Sequence, residues 1–297
     1  MNGSPRITTM ALESAGSREI ADPVAAKRHP GRWLSGALIA GAVVAVIVSL
    51  YRNPALDHAT IVRFLTADAI FSGLRNTVLL AIVSMVLGSV LGTVLALMRL
   101  SRNPVLRWSS FGYVTILRSV PLLVQILFWG NIALFYDRID LVIPFSGEVL
   151  ATWDTNALIT PFVASVLALS LNEAAYMAEV VRAGVGSIDK GQHEAAAALG
   201  LNSVQTFRKV IGLQALRIIV PPAGSQFVTM LKMTSLVSVI AGGDLLTEAQ
   251  NIAASNLRIL ELLVIASLWY LLITGLATIG QTVLERRLGR GVRKVLS

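Results

Sequence analysis

The sequence predicts an all-α polytopic membrane protein with six transmembrane helices, a five-helix core plus one N-terminal helix. Of its 297 residues 55% are hydrophobic and only 14% are charged, whereas about a quarter of the residues in soluble domains are charged. The mean hydropathy is +0.70, and the apolar residues fall in runs long enough to cross the ~30 Å hydrocarbon core. This composition excludes a disordered chain and a nucleic-acid-binding module, and the absence of Cys excludes a disulfide-stapled fold.

The first apolar run, residues 33–51, is predicted to be an uncleaved anchor helix. It follows a polar tail of mixed charge, residues 1–32, and is followed directly by Arg52, a pattern unlike that of a cleaved signal peptide. We expect this tail to be disordered and cytoplasmic, and the short basic tail at 289–297 to be cytoplasmic. The other predicted spans are residues 77–98, 109–135, 157–181, 218–241 and 260–284.

The distribution of basic residues predicts the orientation. If the N-terminus is cytoplasmic, 18 of the 25 Lys and Arg residues lie on the cytoplasmic side, within residues 1–32, 99–108, 182–217 and 285–297. Basic residues collect in the cytoplasmic loops of membrane proteins, so both termini are predicted to be cytoplasmic. The protein is expected to span the cell inner membrane several times.

Small residues recur every four positions along the second span, at Ser84, Gly88, Gly92 and Ala96. This spacing places them on one helix face with almost no side chain. We therefore expect another helix to pack closely against it.

The segment from Arg182 to Arg217 has helical features of its own. The run from Gly191 to Leu199 favours a helix, and Gly200 suits the left-handed residue that ends one. Asn202 or Ser203 is expected to cap a second short helix over residues 204–211. Taken alone, the pattern is also consistent with an amphipathic pair lying on the lipid headgroups.

A family resemblance decides between these readings. The stretch GQHEAAAALGLNSVQTFRKVIGLQALRIIVPP resembles the EAA loop of ABC importer permeases, a coupling helix that fits a groove on the ATP-binding subunit. The positions that match its pattern are Glu194, Ala195, Ala196, Gly200, Ile211, Pro221 and Pro222. The resemblance implies that the coupling loop spans residues 191–212, with Gly191 at its start.

Two further blocks, LRSVPLLVQILFW and LKMTSLVSVIAGGDL, and the extended segment SLNEAAYMAEVVRAGVGSIDKGQHEAAAALG are similar to permeases for polar amino acids of the His/Glu/Gln/Arg/opine type. The match covers about residues 71–288. It implies an ATP-binding subunit that uses ATP and Mg, an extracytoplasmic amino acid-binding protein, and a second permease copy or a paralogue. Leu213-Gln214 and Lys232-Met233-Thr234-Ser235 depart from the family pattern, and the N-terminal span is an addition to it.

Three charged residues lie at predicted membrane depth, Arg118, Glu173 and Lys232. Each costs at least ~2.5 kcal/mol to insert and should face protein or water. Arg118 and Glu173 lie at predicted depths that would allow them to pair. Pro121 must free a backbone carbonyl one turn earlier, so we expect a bend there that borders a cavity.

The substrate pathway is predicted from the same residues. A positive charge at Lys232 would attract the α-carboxylate of an amino acid, with Thr234 and Ser235 as hydrogen-bond donors. The alternative is a structural role, as an ion pair for Arg118 and Glu173 and as carbonyl contacts for Lys232. Gln125 and Tyr176 are weaker candidates, expected chiefly to pack and to bond neighbouring helices.

No catalytic or metal site is predicted. The chain has no Walker A sequence, and His29, His58 and His193 are far apart. We therefore expect an ABC importer permease that binds no cofactor itself. The alternatives are an ion-coupled secondary amino acid transporter, which should contain inverted repeats, and a scaffold that recruits an ATPase without transporting.

Overall fold

The computed structural model describes residues 30–143 and 146–288, which are helical apart from one β-hairpin. Residues 1–29 of the predicted tail and the basic tail at 289–297 lie outside this range. The helices and strands are α1 Pro30–Tyr51, α2 His58–Phe64, α3 Asp68–Leu100, α4 Pro104–Ser119, α5 Leu122–Gly130, β1 Arg138–Val142, β2 Val149–Asp154, α6 Thr155–Leu158, α7 Pro161–Gly186, α8 Lys190–Ala198, α9 Ser203–Thr206, α10 Gly212–Met233, α11 Leu245–Asn256 and α12 Ile259–Leu288.

The chain divides into two units, Met1–Leu56 and Asp57–Ser297. The described part of the first unit is α1 and the short turn after it. The helix agrees with the predicted anchor at 33–51, and it ends where the amide of Arg52 donates to the carbonyl of Val48 at 2.9 Å.

Within the second unit, α3 and α7 pack against each other at backbone distance. Ser84, Gly88, Gly92 and Ala96 are all buried. A Cβ added at Gly92 would lie 2.7 Å from the Cβ of Met177 and 2.8 Å from the carbonyl oxygen of Ala174. The prediction of a close helix contact along this face is confirmed, and α7 is the partner.

The predicted span at 109–135 is not one helix. It starts earlier, at Pro104, and breaks between Ser119 and Leu122, where α4 and α5 meet at 97°. Pro121 causes the break because it has no N–H to donate to the carbonyl of Leu117. The prediction of a bend at Pro121 is confirmed, while the prediction of a continuous span was wrong.

Other boundaries also differ from prediction. The acidic stretch before α7, to which no structure was assigned, holds the antiparallel pair β1 and β2, with Arg138 opposite Asp154. The fifth span begins at Gly212 and changes at Thr234 into a 3-10 helix that ends at Ile240. Helix α11 was not predicted, because its 12 residues are too few and too polar to read as a span.

A buried polar cluster holds the turn between this 3-10 helix and α11. Asp244 is fully buried and caps α11 by accepting from the amide of Leu246 at 3.0 Å. The hydroxyl of Tyr270, on α12, donates to the same carboxylate oxygen, Asp244 Oδ2, at 3.2 Å. The hydroxyl of Thr77, on α3, accepts from the amide of Leu245 at 3.0 Å. The turn is thereby tied to α3 and α12.

An ion-pair cluster joins α2 to the start of α12. Arg258 lies 3.6 Å from both Asp57 and Glu261, and the amide of Asp57 donates to Glu261 Oε1 at 3.1 Å. The hydroxyl of Thr60 also donates to Asp57, and this bond lowers the pKa of the Asp57 carboxyl.

Among the described residues, three helices are long and apolar enough to cross a membrane, namely α3, α7 and α12. The number rises to five if α4 with α5, and α10 with α11, each count as one bent span. The described apolar part of α1, Ser35–Ser49, is shorter. The molecule is therefore a mostly helical membrane protein, and the sixth span remains a prediction.

We predict that Gly92→Ala destabilises the protein by about 1–3 kcal/mol, because the new Cβ meets the backbone of α7 as well as a side chain. Gly112→Ala, on α4, is the matched control, since a Cβ there has no neighbour within 4 Å. The measurement is the thermal unfolding midpoint of the detergent-purified protein. Equal midpoints for the two variants would contradict the proposed backbone contact.

Candidate functional site

The predicted coupling loop forms a compact protrusion that begins with α8. Asp189, which sequence reasoning missed, caps this helix by accepting from the amide of Gly191 at 2.6 Å. A Cβ at Gly191 would lie 2.8 Å from that same carboxylate, so glycine allows the close cap. Ala196 is buried, whereas Glu194 and Ala195 are exposed. The helix therefore packs on one side and offers the other to a partner.

Gly200 reverses the chain after α8. Its φ is +71°, in the left-handed region that favours glycine. The amides of Gly200 and Leu201 donate back to the carbonyls of Ala197 at 2.9 Å and Ala196 at 3.1 Å. The predicted left-handed ending of this helix is confirmed.

The second short helix is capped by Asn202, one of the two predicted caps. Its side chain accepts from the amide of Gln205 at 2.9 Å, and the side chain of Gln205 accepts from the amide of Asn202 at 3.1 Å. The helix is shorter than the predicted 204–211, because α-helical bonding stops at Thr206.

A π turn, Phe207–Ile211, connects the protrusion to α10 without a loop. The amide of Gly212 donates to the carbonyl of Phe207, and a Cβ at Gly212 would lie 2.8 Å from that oxygen. The side chain of Gln214, on α10, donates to that of Gln192, on α8, at 2.8 Å. The protrusion is thus fastened to α10 by the backbone and by one side-chain bond.

The protrusion also exposes apolar side chains. Leu199 is 79% exposed and Val204 is 66% exposed. Beside them lies a cavity of about 360 Å³, lined by Val185, His193, Ala197, Leu201, Thr206, Phe207 and Ile211. An exposed apolar surface on a polar protrusion is typical of a protein interface.

A second candidate site is the cleft between α4 and α7, which we call the Arg118 cleft. The guanidinium carbon of Arg118 lies 5.2 Å from the centroid of the Tyr176 ring. The cleft has a volume of about 400 Å³ and is lined by Arg99, Phe111, Val114, Thr115, Arg118, Ser119, Tyr176 and Glu179. It brings together two of the predicted residues, Arg118 and Tyr176, and places a cation beside an aromatic ring.

The pairing of Arg118 with Glu173 that their predicted depths would allow is not found. No ion pair within 4 Å joins them in the described part of the chain, because Glu173 points toward α3, where its Cβ packs on Gly88. Glu173 is 5% exposed, and its Oε1 has no hydrogen-bond partner among the described residues.

Sequence reasoning missed Glu179 in this cleft. The residue lies one helical turn after Tyr176, so the three-residue spacing places both on one face of α7. Its carboxylate accepts two bonds from Arg182, the shorter at 2.7 Å. The spacing from Tyr176 was the signal that could have identified it.

Gln125 supports the break at Pro121. Its amide nitrogen donates to the carbonyls of Leu117 and Val120, both at 2.9 Å. Asn172, on α7, donates to the same Leu117 carbonyl at 3.3 Å. The carbonyl that the proline frees is thereby satisfied, and Gln125 has the helix-bonding role expected of it.

Lys232, Thr234 and Ser235 lie where α10 ends, and they do not line the Arg118 cleft. The hydroxyl of Thr234 is buried and donates to the carbonyl of Leu231, while that of Ser235 donates to the carbonyl of Lys232, both at 2.8 Å. Lys232 is exposed, and its side chain forms no ion pair within 4 Å in the described range. Both hydroxyl protons are therefore used by the backbone.

No group of three or more His, Cys, Asp or Glu side chains that could hold a metal ion occurs in residues 30–143 and 146–288. The Arg118 cleft is lined by charged, polar and aromatic groups, among them Arg118, Ser119, Tyr176 and Glu179.

The sequence family described as the inner membrane component of binding-protein-dependent transport systems matches residues 88–290. The chain belongs to this family. Among its relatives is the arginine transport system permease protein ArgU of Corynebacterium glutamicum, 39% identical over 278 residues, which are 93% of this chain and 86% of ArgU. The L-cystine transport system permease protein TcyB of Bacillus subtilis is 37% identical over 75% of this chain and 87% of TcyB.

A solved amino acid ABC transporter chain has the same fold. It is 31% identical, has a TM-score of 0.66, and is matched over 78% of this chain and 99% of that one. The protein is therefore a membrane-spanning ABC importer permease in the inner membrane. Family membership supports this assignment over an ion-coupled transporter, and it places ATP hydrolysis in a separate subunit.

We predict that Gly200→Val impairs coupling without unfolding the helices in the membrane. A β-branched residue at φ +71° costs roughly 1–2 kcal/mol, and a Cβ there has no neighbour within 4 Å. Gly200→Asn is the control, because Asn tolerates the left-handed conformation. The measurement is transport-coupled ATPase activity in the assembled importer, at matched protein yield.

Full activity of Gly200→Val would show that the turn does not contribute to coupling. Equal losses in the Val and Asn variants would point to a lost contact at Gly200 rather than to backbone conformation.

Proposed function

We propose that this permease forms the pathway of an importer for polar amino acids and that arginine is the first substrate to test. The observation that carries this proposal is the similarity to ArgU over 93% of the chain. The unmatched part is too short to exclude α1, so the similarity includes the helix added to the five-helix core. Other relatives are named for glutamine and for glutamate and aspartate, which supports the wider class of polar amino acids.

In this proposal the ATP-binding subunit, which uses ATP and Mg, docks on residues 191–212. The exposed Glu194 and Ala195 meet that subunit, together with the apolar Leu199 and Val204. Three other residues shape the protrusion without contacting the subunit. The cap of α8 is made at Gly191, the buried contact at Ala196 and the left-handed turn at Gly200.

The proposed pathway uses the charges at membrane depth. An α-carboxylate would bind the guanidinium of Arg118, whose position is fixed by Tyr176, and the exposed Lys232 would attract it elsewhere along the route. Once the helices move, the Glu173 carboxylate would bind the α-ammonium. Its Oε1 has no hydrogen-bond partner among the described residues, so binding there breaks no existing bond. Gln125, Thr234 and Ser235 contribute by holding backbone at the two ends of the route.

The complete importer would contain two permeases, as two copies or as a copy and a paralogue, with an extracytoplasmic amino acid-binding protein. The proposed permease domain is 71–288, with an additional transmembrane helix at 33–51 and cytoplasmic tails at 1–32 and 289–297. The concentration of basic residues on one side of the predicted spans supports cytoplasmic termini.

A cysteine introduced by Ser297→Cys in this cysteine-free chain should react with a membrane-impermeant reagent only after the cells are permeabilised.

Reconstitution tests the proposed function. We expect proteoliposomes that contain this chain, its partner permease and the ATP-binding subunit to accumulate arginine only with internal ATP and external binding protein. The rate should fall when unlabelled substrate of the same binding protein competes. Uptake driven by an ion gradient without ATP would contradict the proposal, and uptake of a non-amino-acid solute would contradict its substrate class.

We predict that Lys232→Met leaves folding equal or better and sharply lowers uptake. The substitution removes an insertion penalty of ~2.5 kcal/mol or more, and no described side chain depends on the ammonium. Thermal stability and binding-protein-dependent uptake are measured together. Lys232→Arg, which keeps the charge, should retain part of the uptake.

A Lys232→Met variant of low stability would assign the lysine a structural role. A variant that is both stable and fully active would remove Lys232 from the pathway.

A further inference from the structure

Four residues at the end of α3 and the start of α4 line a small open cavity of about 230 Å³. They are Arg99, Arg107, Trp108 and Phe111, and we call them the arginine patch. The guanidinium carbon of Arg99 lies 4.2 Å from the centroid of the Phe111 ring, and the Trp108 ring meets Phe111 edge-on at 5.6 Å. The Arg99 cation is therefore held over the Phe111 ring, which Trp108 in turn contacts.

No ion pair within the described residues neutralises the positive charge of this region. Among the described residues, Arg99, Arg102 and Arg107 form no ion pair within 4 Å, and residues 99–111 contain no Asp or Glu. Glu179 lines the neighbouring Arg118 cleft together with Arg99 and interacts with it electrostatically, but both hydrogen bonds of the Glu179 carboxylate come from Arg182. An anion from outside the chain would find two guanidinium groups available.

The surroundings of the patch favour a lipid over a protein. Trp108 is 64% exposed, and tryptophan is enriched where a membrane meets water. Exposed aliphatic side chains flank the arginines and continue along α3 into the proposed membrane span: Val90, Val94, Leu97, Leu100, Val105 and Leu106. The cations thus stand at the end of an apolar surface suited to acyl chains.

We propose that the arginine patch binds the headgroup phosphate of an anionic phospholipid in the cytoplasmic leaflet, with the acyl chains along the exposed face of α3. The proposal rests on the orientation given above, which places the α3–α4 turn on the cytoplasmic side. Guanidinium groups bind phosphate oxygens through paired, charge-assisted hydrogen bonds. Basic pockets between helices on this side are suited to anionic headgroups. A zwitterionic lipid should bind less well, because its cationic group is repelled by the two arginines.

Native mass spectrometry of the full chain in detergent tests this proposal. Phosphatidylglycerol and phosphatidylcholine with the same acyl chains are titrated separately, and the bound lipid is counted from the mass. We expect wild type to prefer phosphatidylglycerol. The double variant Arg99→Gln with Arg107→Gln should bind it roughly 30-fold more weakly, the value of two charges near an anionic surface.

The matched control is Arg63→Gln with Arg75→Gln. These arginines lie on α2 and at the start of α3, and Arg63 also stands over an aromatic ring, 5.4 Å from the centroid of Phe64. The control removes the same charge from the other end of the helices and should keep the preference. If the double variant does not fold, the exposed Arg107→Gln alone should weaken binding about fivefold.

Three results would overturn the proposal: equal binding of both lipids to wild type, equal loss in the control pair, or full displacement of the lipid by soluble glycerol 3-phosphate. A fourth is loss of the bound lipid when the ATP-binding subunit assembles, which would assign the patch to that interface. Lipid counting needs no transport, so a failure of the proposed amino acid uptake would not affect this test.

Discussion

The backbone contact between α3 and α7 is the constraint on which the rest of the structure depends. Gly88 and Gly92 let the two helices approach until a single added Cβ would overlap the neighbouring helix. Helix α7 then carries Tyr176 and Glu179 to the Arg118 cleft and leads directly into α8. A shift of α7 would therefore move the cleft and the protrusion together, since one helix supports both.

The break at Pro121 follows from a second constraint, that polar backbone groups inside a membrane need partners within the protein. The carbonyl of Leu117 loses its helical donor and gains the amides of Gln125 and Asn172. One donor comes from the next helix along the chain and the other from α7. The bend is thus held from two sides, and the amide nitrogen of Gln125 is used by the backbone.

Sequence reasoning succeeded where the residue type alone determines the local backbone structure. The small-residue face of α3, the break at Pro121 and the left-handed Gly200 each follow from sterics of the backbone, so local sequence was sufficient. It failed where the outcome depends on packing between distant segments. Glu173 and Arg118 are opposite charges at similar depth, but depth does not tell which way each side chain points around its helix. Glu173 faces α3, and Arg118 faces Tyr176.

The same reason explains one of the missed elements. Helix α11 is set by the cap at Asp244 and by contacts with α3 and α12. The two strands of the β1–β2 hairpin are short and almost wholly exposed, so no buried face marks them in the sequence. The family resemblance pointed to residues 191–212 as the candidate coupling segment, yet it could not show that the second short helix merges with α10. The merger depends on the change from α-helical to π-helical hydrogen bonding between residues 206 and 212.

The π turn at Phe207–Ile211 sets the rotational phase between the protrusion and α10. An α-helix rotates by about 100° per residue, and the π turn contains one extra residue. That residue changes the rotation of the protrusion about the helix axis relative to α10. The face that α8 offers to a partner can therefore vary independently of the face that α10 turns toward the membrane interior. A one-residue insertion or deletion here would leave the hydropathy profile and the number of membrane spans unchanged. It would nevertheless rotate the protrusion by about 100° about the axis of α10.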